Sequence, residues 1–401
     1  MLHKIIKVDV ALKPAVSSFT KNMALAIAQI LLWAGSFFII SVLGAPIMKE
    51  TGWSQQMVYG VLSLSLFVWG ILSAFIGKMI HRSAHDGILS YSGVVMAAGL
   101  IIIGLAHSFV VFACGWLVIG VAMAMGLYDA LFASLGKKYG NNANQSIVQI
   151  TVISGFAPTV SWVSVSFLVS HFGWRNACFL YALILLFAIF PLYRWAFGSS
   201  VKKANSVYEK SMTETAPHVP LRSPVFYLLL LYFTIGAILM TGMEVHLIEI
   251  LLTKNMPMAT AISIAALLGP SQVGTRVLDM VLPKRTPQKT AIVTACAIFA
   301  GLLLLAAHPK IAFLGIIIFG LGNGMRTILK GILPMSVFGQ KDYALIVGKL
   351  GGLPLFAQAA TPFVGSFLIQ QFSVPVFLGI LCLLAFVNIF VAVLIRSKIN
   401  Q

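Results

Sequence analysis

The feature that most limits this chain is a train of apolar runs, 18 residues or longer, recurring from end to end. Coiled as an α-helix, such a run matches the roughly 30 Å hydrocarbon core of a bilayer. Backbone N–H and C=O groups find no water there, so only helices or closed barrels can satisfy them. Barrel strands are short and alternate apolar with polar residues, whereas these runs are long and continuously apolar. Composition agrees: 59% of residues are hydrophobic and 9% charged, against about a quarter charged in soluble domains. There are too few polar side chains to cover a surface in water. The sequence therefore predicts an all-α polytopic membrane protein.

About twelve transmembrane helices are expected, near residues 23–48, 55–80, 88–107, 110–134, 147–170, 177–196, 225–249, 258–281, 289–307, 311–332, 343–370 and 374–396. Residues 197–224 turn polar and read as a linker. The expected organisation is a basic N-terminal segment (1–22), a six-helix bundle (23–196), the linker (197–224), a second six-helix bundle (225–396) and a short tail (397–401), the bundles being pseudo-symmetric. Charge sets the orientation. With both termini inside, the basic clusters of the N-terminus, the linker and the tight loops (Lys78, Arg82, Lys137, Lys138, Lys284, Arg285) face the cytoplasm. Only Lys49, Arg175, Lys254 and Lys310 then lie outside, as the positive-inside rule requires. The same placement explains the net charge of +17 without nucleic acid. No cleavable leader is expected, because the first 22 residues are mixed and basic with no small-residue cleavage site. Cys114, Cys178, Cys296 and Cys382 fall inside apolar runs at no metal or redox spacing and read as buried small residues. Gly60, Gly70 and Gly77 in span two are spaced for close helix packing.

A charge on a lipid-bound helix costs about 3 kcal/mol on insertion scales, so intramembrane charges face a bundle interior or a watery cavity. Gln272 and Arg276 share a helix face, and Gly269-Pro270 opens the backbone just before them. Arg276 can clamp a substrate carboxylate by paired hydrogen bonds, or pair with Asp279 or an acid on another helix. Asn323, Arg326 and Lys330 share a face of span ten. Arg326 reads as a substrate or gate residue, Lys330 as a snorkelling one. Gly320, Gly322 and Gly324 read as packing residues. Lys349 is followed by Gly351, Gly352 and Pro354, so span eleven is expected to break there and expose backbone near the midplane. Asp129, Glu244, His246 and Asp279 are candidates for proton coupling or gating. The plainer alternatives are a salt bridge from Asp129 to an inner-loop cation and a solvated outer vestibule around Glu244 and His246. Trp33 with Ser36, and Trp162 with Ser161, are candidate cavity walls, and Tyr193, Arg194 and Trp195 read as an interfacial anchor. No phosphate loop appears, so ATP is not the expected energy source.

Six plus six helices, a cytoplasmic linker and tight inner loops resemble the major facilitator superfamily. GKMIHRSAHDG (77–87) stands where that superfamily has G-x-x-x-D-[RK]-x-G: Gly77 and Arg82 match, while His81 replaces the Asp and Ala84 the second Gly. FGWRN (172–176) is similar to its turn between spans five and six. GLYDALFASLGKKYG (126–140), GFAPTV (155–160), GPSQVGTR (269–276) and GNGMRTILKGILP (322–334) resemble a poorly characterised bacterial branch. Arg276 and Lys349 are similar in placement to the basic pair of oxalate–formate exchangers and monocarboxylate transporters. The resemblance implies a secondary carrier working by alternating access, with Arg82 among its gating residues. Such a carrier is a multi-pass monomer in the cell (inner) membrane. It takes a small-molecule solute, with protons as a candidate coupling ion, and uses no cofactor and no metal. Buried cations (Arg276, Arg326, Lys330, Lys349) outnumber buried acids (Asp129, Glu244, Asp279) by one, which points to an anionic or carboxylate-bearing solute. The alternatives are an exporter of amphipathic drugs or of a secreted metabolite such as a siderophore, supported by a partial match of GFAPTV to an exporter-type motif, and a non-transporting membrane receptor. Paired acids, nucleophile–base spacing and His-rich metal spacing are absent from the sequence, so no enzyme chemistry is expected.

Overall fold

The computed structural model describes residues 19–82, 87–139, 143–198, 223–281, 285–338 and 343–399. The basic lead before residue 19, most of the linker and Asp342 lie outside the described residues, as does the side chain of Arg82. The regular elements among the described residues are all helical. α1 (Phe19–Trp33) passes through a π-helical turn, Ala34–Phe38, into α2 (Ile39–Thr51). Gly52 ends α2 with φ 71°, its N–H bonded to Met48 O; this left-handed position suits glycine because no Cβ clashes. Next come α3 (Gln55–Arg82), α4 (Gly87–Leu105), α5 (Phe109–Gly126) and α6 (Tyr128–Tyr139). α7 (Ala143–Ser154) and α8 (Ala157–Phe197) end the first half. The second half holds α9 (Pro224–Leu252), α10 (Met258–Ala265), α11 (Leu268–Val281), α12 (Pro287–Ala307), α13 (Ala312–Phe338), α14 (Tyr343–Gln371) and α15 (Val374–Ile399).

Ten described segments are long and apolar enough to cross a membrane. One of them, Gln145–Phe197, bends back at Gly173 (φ 76°, ψ 164°) and supplies two crossings. α10 and α11 together make another, which brings the described crossings to the anticipated twelve. The outer loop expected over 171–176 therefore shrinks to one non-helical glycine.

Spans five and eight are each interrupted, at related places. α7 gives way to α8 at Gly155-Phe156, and α10 to α11 at Ala266-Leu267. Pro158 and Pro270 then sit in the first turns of α8 and α11, where a missing N–H costs nothing. The break in span eight thus precedes Gly269-Pro270. A proline ring displaces the carbonyl four residues back, here Ala266 O, and Thr159 Oγ1 donates to that carbonyl at 2.5 Å from the other half.

Small residues set the tightest packing. A Cβ at Gly99 would stand 3.0 Å from Gly115 O, and one at Gly315 would stand 2.8 Å from Gly301 O. The α4/α5 and α12/α13 pairs are therefore built alike. Gly320 packs on Ser271 and Leu268, Gly322 on Ile298, and Gly324 on the Gln272 backbone. Span two departs from expectation: Gly60 faces Phe363, but nothing approaches within 4 Å of a Cβ at Gly70 or Gly77. Cys114 and Cys296 are exposed on the helical surface rather than buried, as a small apolar residue facing lipid tails can be. Tyr193 is core rather than anchor: its hydroxyl donates to Gly126 O (3.0 Å) and accepts from Gln29 Nε2 (2.8 Å).

α14 runs unbroken through Gly351, Gly352 and Pro354, contrary to the expected break after Lys349. Each glycine in a helix costs only about 1 kcal/mol relative to alanine. Freeing backbone groups inside a membrane costs several times more, so the helix continues. The two halves meet where α3 packs on α14, α2 on α9, and α8 on α10 and α11.

Candidate functional site

Three second-half helices carry polar side chains into one buried cluster. Glu244 on α9 is 2% exposed. Its Oε1 accepts from Gln272 Nε2 of α11 at 3.0 Å and from Asn323 Nδ2 of α13 at 3.1 Å. Asn323 Oδ1 accepts in turn from Arg326 Nε at 2.9 Å. Arg326 Nη2 donates to Met240 Sδ at 2.7 Å, one turn before Glu244 on α9. Gly236 makes room for the arginine stem, since a Cβ there would lie 3.0 Å from Arg326 Cδ. Asn323 thus stands between the carboxylate and the guanidinium and bonds to both.

Arg276, one turn beyond Gln272, reaches across to the first half, where Nη1 donates to Thr151 O. It lies within electrostatic reach of both Glu244 and Tyr128. Among the described residues, Glu244 Oε2, Arg326 Nη1, Arg276 Nε, Trp33 Nε1 and Trp69 Nε1 of this region are buried without a partner. Buried polar groups are nearly always hydrogen-bonded, which makes these atoms candidates for contact with a solute.

The first half answers with aromatics. Trp33 sits at the entry to the π-helical turn, an irregularity often met at functional sites. Its ring contacts Trp69 at 5.8 Å and Tyr128 at 5.3 Å, and Tyr128 stacks on Phe132 at 5.3 Å. Tyr128 Oη and Ser154 Oγ share a hydrogen bond of 2.7 Å. Trp162 is fully buried edge-on to Phe38, with Ser161 Oγ bonded to Ala34 O.

Towards the cytoplasmic side, as assigned by charge bias, Asp129 on α6 accepts from Ser73 Oγ at 3.3 Å. Asp129 and Lys330 on α13 are both exposed and feel each other's charge without a direct ion pair. At the opposite side the halves are joined by short bonds. Ser41 Oγ donates to Glu244 O (3.1 Å), and Gln55 Nε2 donates to both carboxylate oxygens of Glu249 (2.8 and 2.9 Å). Phe363 N donates to Ser63 Oγ (3.0 Å).

The structure therefore brings together Gln272, Arg276, Asn323, Arg326 and Glu244, with Trp33 close by and Trp162 deeper in the first half. It leaves others apart. Lys349 is exposed on α14 with no hydrogen bond or ion pair among the described residues. Asp279 is exposed and does not pair with Arg276. The solvated vestibule is not found either. Glu244 is buried, and His246 is fully buried between Tyr59 (4.9 Å) and Phe377 (5.4 Å), with Nδ1 3.3 Å from Glu249 Oε2. Sequence reasoning passed over Tyr128, Met240, Gln55 and Glu249. Tyr128 adjoins Asp129, and Met240 lies one turn before Glu244, so helical spacing from the chosen acids would have found both.

A family model described as Major Facilitator Superfamily matches residues 25–352. Among the solved structures that share the fold are two of a bacterial homologue of the human lysosomal transporter Spinster. The inward-facing, unoccupied form gives a TM-score of 0.66 at 13% identity, covering 95% of both chains. The inward-facing, occupied form gives 0.65 at 14%, covering 94% of both. Curated protein sequences give no match. Proteins of the matched family are multi-pass membrane transporters and not enzymes. With twelve crossings and a family match over 25–352, the chain belongs to the Major Facilitator Superfamily.

Proposed function

We propose that the protein is a secondary carrier that moves a small carboxylate-bearing solute by alternating access. The observation that carries this reading is the charge balance of the buried cluster. Two guanidiniums, Arg276 and Arg326, share one carboxylate, Glu244, and each guanidinium keeps an unpartnered N–H. An uncompensated buried cation is costly, and a substrate carboxylate supplies the missing charge with strong, charge-assisted hydrogen bonds. Gln272 and Asn323 hold Glu244 in place beside it.

In this reading the bundles 23–196 and 225–396 rock as units about the site, joined by the linker 197–224. Bonds at Ser41, Gln55 and Ser63 support a closed outer side. Exposure of Asp129 and Lys330 supports an inner opening, which those two residues close by pairing when the halves rock back. Glu244 carries the coupled proton: a carboxylate bonded to neutral amides can exchange its charge for a proton as the solute comes and goes. His246 and Glu249 belong to the outer gate, and Arg82, by resemblance alone, to the inner one. The carrier acts as a monomer in the cell (inner) membrane, with solute and lipid as its partners and no cofactor, metal or nucleic acid. The test is uptake of labelled carboxylates by proteoliposomes carrying Arg276→Ala or Arg326→Ala. Loss of uptake in both is expected; unchanged uptake in both removes them from the site.

A further inference from the structure

We infer that the solute is an aromatic monocarboxylate: a single carboxylate held between Arg276 and Arg326, with its ring laid against the Trp33–Trp69–Tyr128 wall of the opposite half. This rests on the anion-carrier reading and narrows its substrate class. The charge argument limits the solute to one anionic group. With Glu244 ionised, two guanidiniums less one carboxylate leave a single positive charge. Lys330 and Lys349 are exposed on α13 and α14 and are not among the buried cations of the cluster. A dicarboxylate would bring a second negative charge against ionised Glu244, with no further buried cation in the cluster to meet it.

The body of the solute is read from the first half. Trp33 and Trp69 are buried at 7% exposure each, and Tyr128, half-buried against Trp33, is the member of the wall that a solute ring meets first. The wall and Arg276 meet at α7. Tyr128 bonds to Ser154, and Arg276 bonds to Thr151 on the same helix, α7. Aromatic rings favour offset or edge-to-face partners, and the Trp33–Trp69 contact is itself edge-on at 83°. A planar solute body joins that arrangement where an aliphatic chain does not. Trp33 Nε1, buried with no partner, adds a donor suited to a ring hydroxyl or carbonyl.

The test uses the purified full-length protein in lipid nanodiscs. Benzoate, 4-hydroxybenzoate, acetate, succinate and the uncharged benzamide are compared by thermal stabilisation and by quenching of tryptophan fluorescence. Benzoate and 4-hydroxybenzoate are expected to stabilise and quench, and the other three to do neither. Trp33→Phe is expected to weaken 4-hydroxybenzoate binding about tenfold, or roughly 1.4 kcal/mol, and benzoate binding less. The unliganded melting temperature should hold. Should that variant fail to fold, Trp69→Phe reads the same wall. If acetate or succinate binds as well as benzoate and the binding is lost in Arg326→Ala, the aromatic class is overturned and the anion carrier stands. If benzamide matches benzoate, or no acid binds, both readings fall.

Discussion

Arg326 shows how one side chain acquires a task from its surroundings. Gly236 clears its path, Asn323 fixes its Nε, Met240 accepts from Nη2, and Nη1 is left over. Lysine carries the charge but cannot reproduce the planar fork. Arg326→Lys is therefore expected to lower carboxylate uptake at least about tenfold, and Arg326→Ala more, as measured in proteoliposomes; equal uptake in Arg326→Lys would separate charge from geometry. Glu244→Gln keeps a side chain that can bond to Gln272 and Asn323 but cannot ionise. It is expected to retain the fold and solute exchange while losing stimulation by a pH gradient, read by comparing uptake with and without an imposed gradient.

At the scale of elements, helix contacts here are set by glycine. The α4/α5 and α12/α13 pairs approach closely because Gly99, Gly115, Gly301 and Gly315 lack a Cβ. In lipid no hydrophobic force draws helices together, so close van der Waals packing carries more of the association. Gly315→Val is expected to lower the melting temperature by several degrees, whereas Gly70→Ala, with open space around it, should not. Gly173 belongs to a different class: at φ 76° and ψ 164° it holds a conformation reserved for glycine, and a side chain there costs of order 1–3 kcal/mol. Gly173→Ala should destabilise the α8 bend without altering the solute profile, checked by melting and binding on one sample.

For the whole molecule, alternating access requires that contacts on one side exchange for contacts on the other. The outer side is held by Gln55–Glu249 and Ser41–Glu244, while Asp129 and Lys330 wait unpaired on the inner side. Reversing either inner charge alone, Asp129→Lys or Lys330→Asp, is expected to slow transport. The double reversal should restore much of it, because the pair is remade with swapped partners. No recovery in the double variant would show that these charges do not meet during the cycle. A cysteine pair at 55 and 249, oxidised, should hold the outer side shut and stop net uptake until it is reduced.

Long apolar runs and the bias of basic loops determined the lipid environment, the number of crossings and the identity of the charged residues worth following. Those properties are set by local composition and by the cost of unsatisfied backbone in hydrocarbon, so they are legible along the chain. Tertiary packing alone decided which charges meet. Glu244, Gln272, Asn323 and Arg326 come from three helices separated by tens of residues, and no periodicity within one helix records that neighbourhood. The same holds for Lys349, whose Gly-Gly-x-Pro context promised a broken helix. Continuous backbone hydrogen bonding in a membrane outweighs local propensity, and α14 stayed whole.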